Sequence, residues 1–318
     1  FALLATGVDN MTIHNVKVDT NRDGFDIDCC RNVRISDCSV NSPWDDAIVL
    51  KSSYGLGFFR NTENITITNC YVSGYDKGSL IDGTFRRDET QAPDQGDVTG
   101  RIKLGTESSG GFRNISISNC VFERCRGLAL ETVDGGFLED IVISNITMRD
   151  IVNAPIFLRL GSRMRSPKGT PMGRMSRITI SNVNVYNADS RYASIISGVP
   201  DYHIEDVTLS DIRILYKGGG TAEDAKLTPP ENESLYPEPW MFGTIPASGF
   251  FIRHARNIEL NNVQVDFLTP DYRPSIWMKD VDGCRLVNYR AKVAGGVEPY
   301  VLSDVKGFKT ELSEISEF

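Results

Sequence analysis

One short phrase is written eight times along this chain, and it limits the possible folds more than any other feature. It opens on a polar residue, usually Asn or Asp, and continues apolar–x–apolar, then a small polar pair, then another apolar residue. It reads Asn10-Met-Thr-Ile-His-Asn-Val, Asn32-Val-Arg-Ile-Ser-Asp-Cys, Asn64-Ile-Thr-Ile-Thr-Asn-Cys and Asn114-Ile-Ser-Ile-Ser-Asn-Cys. It continues as Asp140-Ile-Val-Ile-Ser-Asn-Ile, Arg177-Ile-Thr-Ile-Ser-Asn-Val, Asp206-Val-Thr-Leu-Ser-Asp-Ile and Asn257-Ile-Glu-Leu-Asn-Asn-Val. A ninth, degraded copy is expected from Arg285. The first positions are 22, 32, 50, 26, 37, 29 and 51 residues apart. Within a copy the alternation has period 2, the mark of a strand with one buried face. No segment sustains a helical period, which excludes solenoids that alternate strand and helix.

A strand every coil, with occasional long excursions, is the pattern of a parallel β-helix carrying loop insertions. The rival, a β-sandwich, repeats its strands every ~8–12 residues through tight hairpins and has no reason to repeat one phrase. The chain is therefore read as all-β, a parallel β-helix (solenoid) forming a single domain over 1–318. The segments 73–100, 161–174 and 215–249 are expected as loop insertions that shape a groove on one side. Residues 1–7 carry no basic leader and read as a strand, so the architecture is expected to begin without its N-terminal coils or cap.

The repeat also accounts for the cysteines. Cys38, Cys70 and Cys120 occupy the last apolar place of their copies, where other copies carry Val or Ile. A stacked core ladder is the reading, since free cysteine behaves as a small hydrophobe. Cys29 and Cys30 are adjacent, a poor geometry for bridging and not a zinc spacing. The Asn-x-Ser/Thr triplets at Asn10, Asn64, Asn114, Asn145 and Asn232 are read mainly as strand and turn chemistry. A net charge of −8 argues against a nucleic-acid partner. No apolar run is long enough to span a bilayer.

In a solenoid, chemistry shows up where the repeat is broken. Asn21-Arg22-Asp23-Gly24 is followed 22 residues later by Asp45-Asp46, inside Asn41-Ser-Pro-Trp-Asp-Asp-Ala-Ile-Val-Leu-Lys51. Because 22 residues separate Asn10 from Asn32, Asp23 and Asp45 are expected on adjacent rungs, about one strand spacing (~4.8 Å) apart. Crowded carboxylates push one another's pKa apart, and glycosidic cleavage needs one protonated and one ionised carboxyl. Asp residues marking turns, or a calcium site, are the alternatives from spacing alone.

These residues resemble the signature of glycoside hydrolase family 28, the polygalacturonase and rhamnogalacturonase-like pectin hydrolases. Gly105-Thr-Glu-Ser-Ser-Gly-Gly-Phe and Gly127-Leu-Ala-Leu-Glu-Thr extend the likeness along the chain. The resemblance implies a right-handed β-helix and an inverting hydrolase of galacturonic-acid-containing pectic polysaccharide. Asp45 would be the general acid, with Asp23 and Asp46 activating water. It implies no cofactor or metal, a pectic oligosaccharide or polysaccharide as partner, and a secreted or periplasmic location. The family clusters its carboxylates more tightly than inverting enzymes in general.

Two familial motifs are altered. The supporting His of the family falls at Thr99 or Gly100, and His14, His203 and His254 lie elsewhere. The basic Arg-Ile-Lys motif, which grips a galacturonate carboxylate, aligns with Ala129-Leu130-Glu131. The letters Arg101-Ile102-Lys103 fall one coil earlier. Glu131 in the clamp position points to a different sugar, such as rhamnose, in the leaving-group subsite. Arg101 and Lys103 alternate with Ile102 and Leu104 and so face outward. Asn21, Lys51, Arg159, Arg163, Arg253 and His254 are further substrate-binding candidates. Tyr75, Tyr236, Trp240 and Phe242 are loop aromatics suited to stacking on sugars or to burial. Loop walls favour exo-action. The competing functional readings are a non-catalytic glycan-binding β-helix and a pectate-lyase-like enzyme.

Overall fold

The computed structural model describes residues 1–94 and 96–318. Strands pair in parallel, each with the strand one coil before and one coil after, from Leu3–Thr6 through to Glu314–Glu317. The chain is a right-handed parallel β-helix. Among the described residues helix is confined to one turn, Ser79–Asp82, and two short 3₁₀ segments, Asp224–Lys226 and Pro239–Phe242. Among the described residues no helix is long and apolar enough to cross a membrane.

The repeated phrase is one corner-to-corner segment of the coil. Its first residue sits in the left-handed region in every copy: φ is 59° at Asn10, 57° at Asn32, 60° at Asn64 and 55° at Asn114. The sixth position does the same, at 55° for Asn15, 58° for Asp37 and 55° for Asn69. Asn and Asp tolerate this conformation better than other residues with a Cβ. Stacking adds a second reason. Asn32 Nδ2 donates to Asn10 Oδ1 (3.2 Å), Asn64 to Asn32 (3.1 Å) and Asn114 to Asn64 (2.7 Å). The residues between the corners form core ladders: Ile117, Ile143, Ile180, Leu209 and Leu260 are register partners along one line, all fully buried. Cys120 stacks on Ile146, and Cys38, Cys70 and Cys120 are free and buried as the ladder reading requires.

Register corrects the ninth copy. Ile258 pairs with Cys284, so the copy begins at Gly283 and not at Arg285. Glycine at φ 80° replaces the corner asparagine, which hid the match. The strand Ile204–Gly218 runs further than the expected loop start, so the last large insertion occupies 219–249. This insertion folds back over the outward face of the coils. There Ala129, Phe157, Ile195, Phe251 and Trp277 form an apolar patch that packs against Met241, Phe242 and Ile245 of the loop. The rest of that outward line, Asp26, Val49 and Lys103, lies next to the acidic residues.

Candidate active site

The strand Phe25–Asp28 pairs with Ile48–Ser52, and Phe25 opposes Ile48. The offset here is 23 residues, whereas the strands of the preceding pair of coils are offset by 22 (Leu3 with Phe25, Lys17 with Ser39). One residue is inserted before the strand, and Asp45 is in that insertion. The expected adjacency of Asp23 and Asp45 on facing rungs is corrected accordingly. The pairing that continues this register sets Asp23 beside Asp46, since Gly24 N–H donates to Asp46 O (2.9 Å). Gly24 is required for the approach: a Cβ there would lie 2.3 Å from Val40 Cγ1 and 2.4 Å from the Ala47 carbonyl.

Convergence of the three carboxylates holds. One oxygen from each of Asp23, Asp45 and Asp46 lies within 4.8 Å of the others. The Asp46 amide knits them together, reaching Asp23 Oδ1 (3.2 Å) and Asp45 Oδ1 (3.1 Å). Their environments differ sharply. Asp45 keeps a 27% exposed side chain and meets Arg22 Nη2 at 3.3 Å. Burial, reinforced by the charges of Asp46 and Asp23, pushes its carboxyl up to about 7. Asp46 is buried, which alone would raise its pKa. Lys103 (3.4 Å) and Arg101 (2.9 Å) overcome that and hold it below the usual carboxylate range. Asp23 receives Lys51 Nζ at 2.9 Å.

Lys51 also donates to Asp26 Oδ2 (2.7 Å). Burial works against its charge, but Asp23 and Asp26 raise it well above its ordinary value. Asp26 in turn is pushed by burial up to about 6, against the pull of Lys51.

Arg101 and Lys103 alternate outward as their spacing demands, with Ile102 and Leu104 in the core. They do not face open solvent. The 219–249 loop covers them: Glu238 pairs with Arg101, and the Tyr236 hydroxyl lies 3.1 Å from Lys103 Nζ. Ile48 pairs with Ile102 and Lys103 pairs with Ala129, so Arg101 and Lys103 belong to the coil directly after Asp45-Asp46, and Glu131 to the next. Glu131 is fully buried and reaches Lys103 (3.6 Å) and Arg101 (3.8 Å). Burial pushes its carboxyl up to about 7, more strongly than Lys103 and Arg101 pull it down. It braces these cations and does not face the cleft, which corrects its placement as a substrate contact.

Arg159, Arg253 and His254 are corrected in the same way. Arg159 donates to Ser197 Oγ, Gly198 O and Glu231 O, and Arg253 donates to the carbonyls of Pro229 and Pro230. His254 lies between Asp280 (2.7 Å) and Glu231 (3.1 Å). All three tie down the loop base, because a loop crossing an apolar wall must satisfy its carbonyls. Arg163 pairs with Asp134. Asn21 is half-buried in the turn before Asp23. Tyr75 and Phe242 are buried, whereas Tyr236 and Trp240 are 40% and 38% exposed. Thr99 and Gly100, at the place of the familial His, brace the turn through their amides, Gly100 donating to Asp45 O (2.9 Å).

Three participants gave little signal in the sequence. Arg22 is the variable residue of Asn-x-Asp-Gly. Asp26 had only its alternation with Phe25 and Ile27. Glu238 sits on a loop without periodicity.

No family model matches the chain. A probable polygalacturonase of Vitis vinifera is 28% identical over 135 residues, 41% of this chain and 23% of the relative. The solved hyperthermoactive exopolygalacturonase of Thermotoga maritima superposes with a TM-score of 0.55 at 19% identity, over 81% of this chain and 48% of that one. The likeness is to polygalacturonases. The chain spans less than half the length of each, and the structural likeness establishes the β-helix fold.

Proposed function

We propose that this chain is an inverting glycoside hydrolase acting on galacturonic-acid-containing pectic polysaccharide, with Asp45 as general acid. The observation that carries it is the split within one cluster: Asp45 protonated up to about pH 7, Asp46 ionised beside it. An acid for the leaving oxygen and a base for water are the two groups this reaction needs. Asp45, with solvent access, donates its proton to the glycosidic oxygen. Asp46 and Asp23 together hold a water and take its proton as it attacks the anomeric carbon. Arg101 and Lys103 keep Asp46 ionised, and Lys51 fixes the orientation of Asp23.

The carboxyl oxygens are closer than the ~6.5–9.5 Å of many inverting enzymes. Inversion therefore rests on the family resemblance, not on the spacing. Three clustered carboxylates can also bind a cation, but here Lys51, Arg101 and Lys103 already supply the compensating charge. The 219–249 loop, which covers the outward face from Arg101 and Lys103 onward, supports exo-action.

The test is hydrolysis of homogalacturonan and rhamnogalacturonan by wild type and by Asp45→Asn. Release of reducing ends by the wild type, lost in the variant and insensitive to a chelator, supports the proposal. Proton NMR of the first product assigns its anomer, and retained configuration sinks the inverting assignment. Unsaturated, ultraviolet-absorbing products would mean a lyase. Binding without turnover in both proteins would mean a glycan-binding scaffold. Rapid early shortening of the polymer would overturn exo-action.

A further inference from the structure

At the repeat corners, surface arginines are neutralised by a carboxylate on a neighbouring coil. Arg177 pairs with Asp140 (2.7 Å), Arg256 with Glu205 (2.8 Å) and Arg285 with Glu311 (2.9 Å). A strip on a different face leaves its cations free. Asn184, Arg213, Gln264 and Arg290 are register partners on four successive coils. Their sequence neighbours, such as Ile212 and Ile214 or Tyr289 and Ala291, are buried, so the four side chains project outward. Among the described residues neither Arg213 nor Arg290 forms an ion pair, whereas Lys292 close by takes Asp266 at 3.1 Å. Arg290 Nε is also buried with no hydrogen-bond partner. The groove between these side chains has a volume of about 260 Å³, and the one carboxylate lining it, Asp211, accepts from Asn262 Nδ2 (2.6 Å). On the coil before Asn184, Arg149 lies 4.6 Å over the ring of Tyr186, which is 44% exposed.

Arg213 and Arg290 stand two coils apart, about 10 Å along the axis. With amides between them and an aromatic ring at one end, they match a chain that carries repeated carboxylates and hydroxyls. A guanidinium takes a carboxylate through two parallel hydrogen bonds, and the amides of Asn184 and Gln264 both donate to and accept from hydroxyls. A Tyr face covers the C–H face of a sugar ring. On a chain of net charge −8, such a strip attracts an anion that the rest of the surface repels. Glu314, the register partner of Arg290 on the next coil, ends the strip with a charge of the ligand's own sign. The strip is remote from the acidic cluster. Ser39, six residues before Asp45, reaches Arg213 through five successive pairings, by way of Tyr71, Val121, Thr147 and Asn184. That is about 24 Å along the axis. We infer that the Arg213–Arg290 strip is a second binding site, for a segment of acidic polysaccharide, which anchors the polymer away from the bond being cut. The identity of the polymer rests on the hydrolase reading above; the residues of the strip are separate from it.

Two measurements test it. In Asp45→Asn protein, which leaves the polymer intact, affinity electrophoresis reads binding to polygalacturonate. Adding Arg213→Ala with Arg290→Ala should weaken that binding about tenfold. Arg213→Lys with Arg290→Lys should recover part of it, since the charge stays but the forked geometry is lost. In protein that keeps Asp45, the alanine pair should raise KM for polygalacturonate about tenfold. It should leave kcat/KM for trigalacturonate, too short to span five coils, within about twofold. Melting curves of each variant confirm folding, which the outward position of both residues favours. Unchanged polymer binding in the alanine pair, or an equal loss on trimer and polymer, overturns the strip and leaves the hydrolase reading intact. Displacement of the polymer by poly-L-glutamate as effectively as by oligogalacturonate overturns the acidic-sugar assignment. Strip-dependent binding without turnover of either substrate overturns the hydrolase reading and leaves the strip standing, and failure both to bind and to turn over overturns both.

Discussion

Asp45 and Asp46 are adjacent in sequence, yet their surroundings give them opposite protonation states. Lys103 and Arg101 are the residues that hold Asp46 ionised, so they set the acidic limb of any pH profile. Replacing Lys103 with Met removes that field while keeping much of the volume. The expected result is an acidic limb of kcat/KM moved to higher pH by about one unit, measured across pH 3 to 8, with the upper limb near 7 little changed. An unmoved acidic limb would show that Lys103 does not govern Asp46. Asp45 gives a second prediction, in stability. Its folded pKa is above its unfolded value, so the native state binds the extra proton between about pH 4 and 7. Stability is therefore lost as pH rises through that window. Asp45→Asn should remove the loss and be more stable than wild type at pH 8 by about 1–2 kcal/mol, with the difference vanishing at pH 4. Melting temperatures at the two pH values read it directly. The three aspartates were legible in the sequence because they break a repeat. Arg22 and Glu238 were not, since nothing local distinguishes a residue whose partner is a coil or a hundred residues away.

Among the elements, the corners and the 219–249 loop differ most in how well the sequence foretold them. The corners were visible as recurring Asn and Asp, although the phrase was first a strand signal and only register shows that its ends are bends. Asn114, at φ 55° and bonded to Asn64, permits a clean test. Asn114→Val should cost about 2 kcal/mol, combining a β-branched side chain in the left-handed region with a lost ladder bond. Asn114→Gly should cost less, because only the bond is lost. Chemical denaturation ranks the two, and equal costs would mean that the bend carries no conformational demand. The loop was foreseen as an excursion but not as a cover, because its contacts come from single residues. Glu238 accepts from Arg101 and from Arg126 Nη1 (2.9 Å) in a site closed to water. Glu238→Ala leaves two buried guanidinium groups without that partner, a change typically worth about 3–5 kcal/mol. Part of that should appear as local opening, so limited proteolysis should cut within 219–249 in the variant and spare the wild type. It should also lower turnover, since Arg101 supports Asp46.

As a whole molecule the β-helix is nearly one-dimensional: the strands of each coil pair with those of its two neighbours, and the 219–249 loop is the element that reaches across several coils, to Arg101 and Lys103. Stability and activity should therefore separate along the axis. Leu286 is fully buried and stacks between Leu260 and Thr310, many coils beyond the acidic cluster. Leu104 is equally buried but stacks between Leu50 and Leu130, next to Lys103 on the same strand. Truncating either to Ala opens a core cavity and should cost about 2–5 kcal/mol. Well below the melting temperature, Leu286→Ala should keep kcat/KM within about twofold, because no coil between it and the site needs to move. Leu104→Ala should lose at least tenfold, because a small shift of that strand displaces the two cations that set Asp46. The pair of measurements decides whether the scaffold transmits strain. A comparable loss of kcat/KM in both variants would mean that the coils move as one body and that the site depends on the full length of the stack.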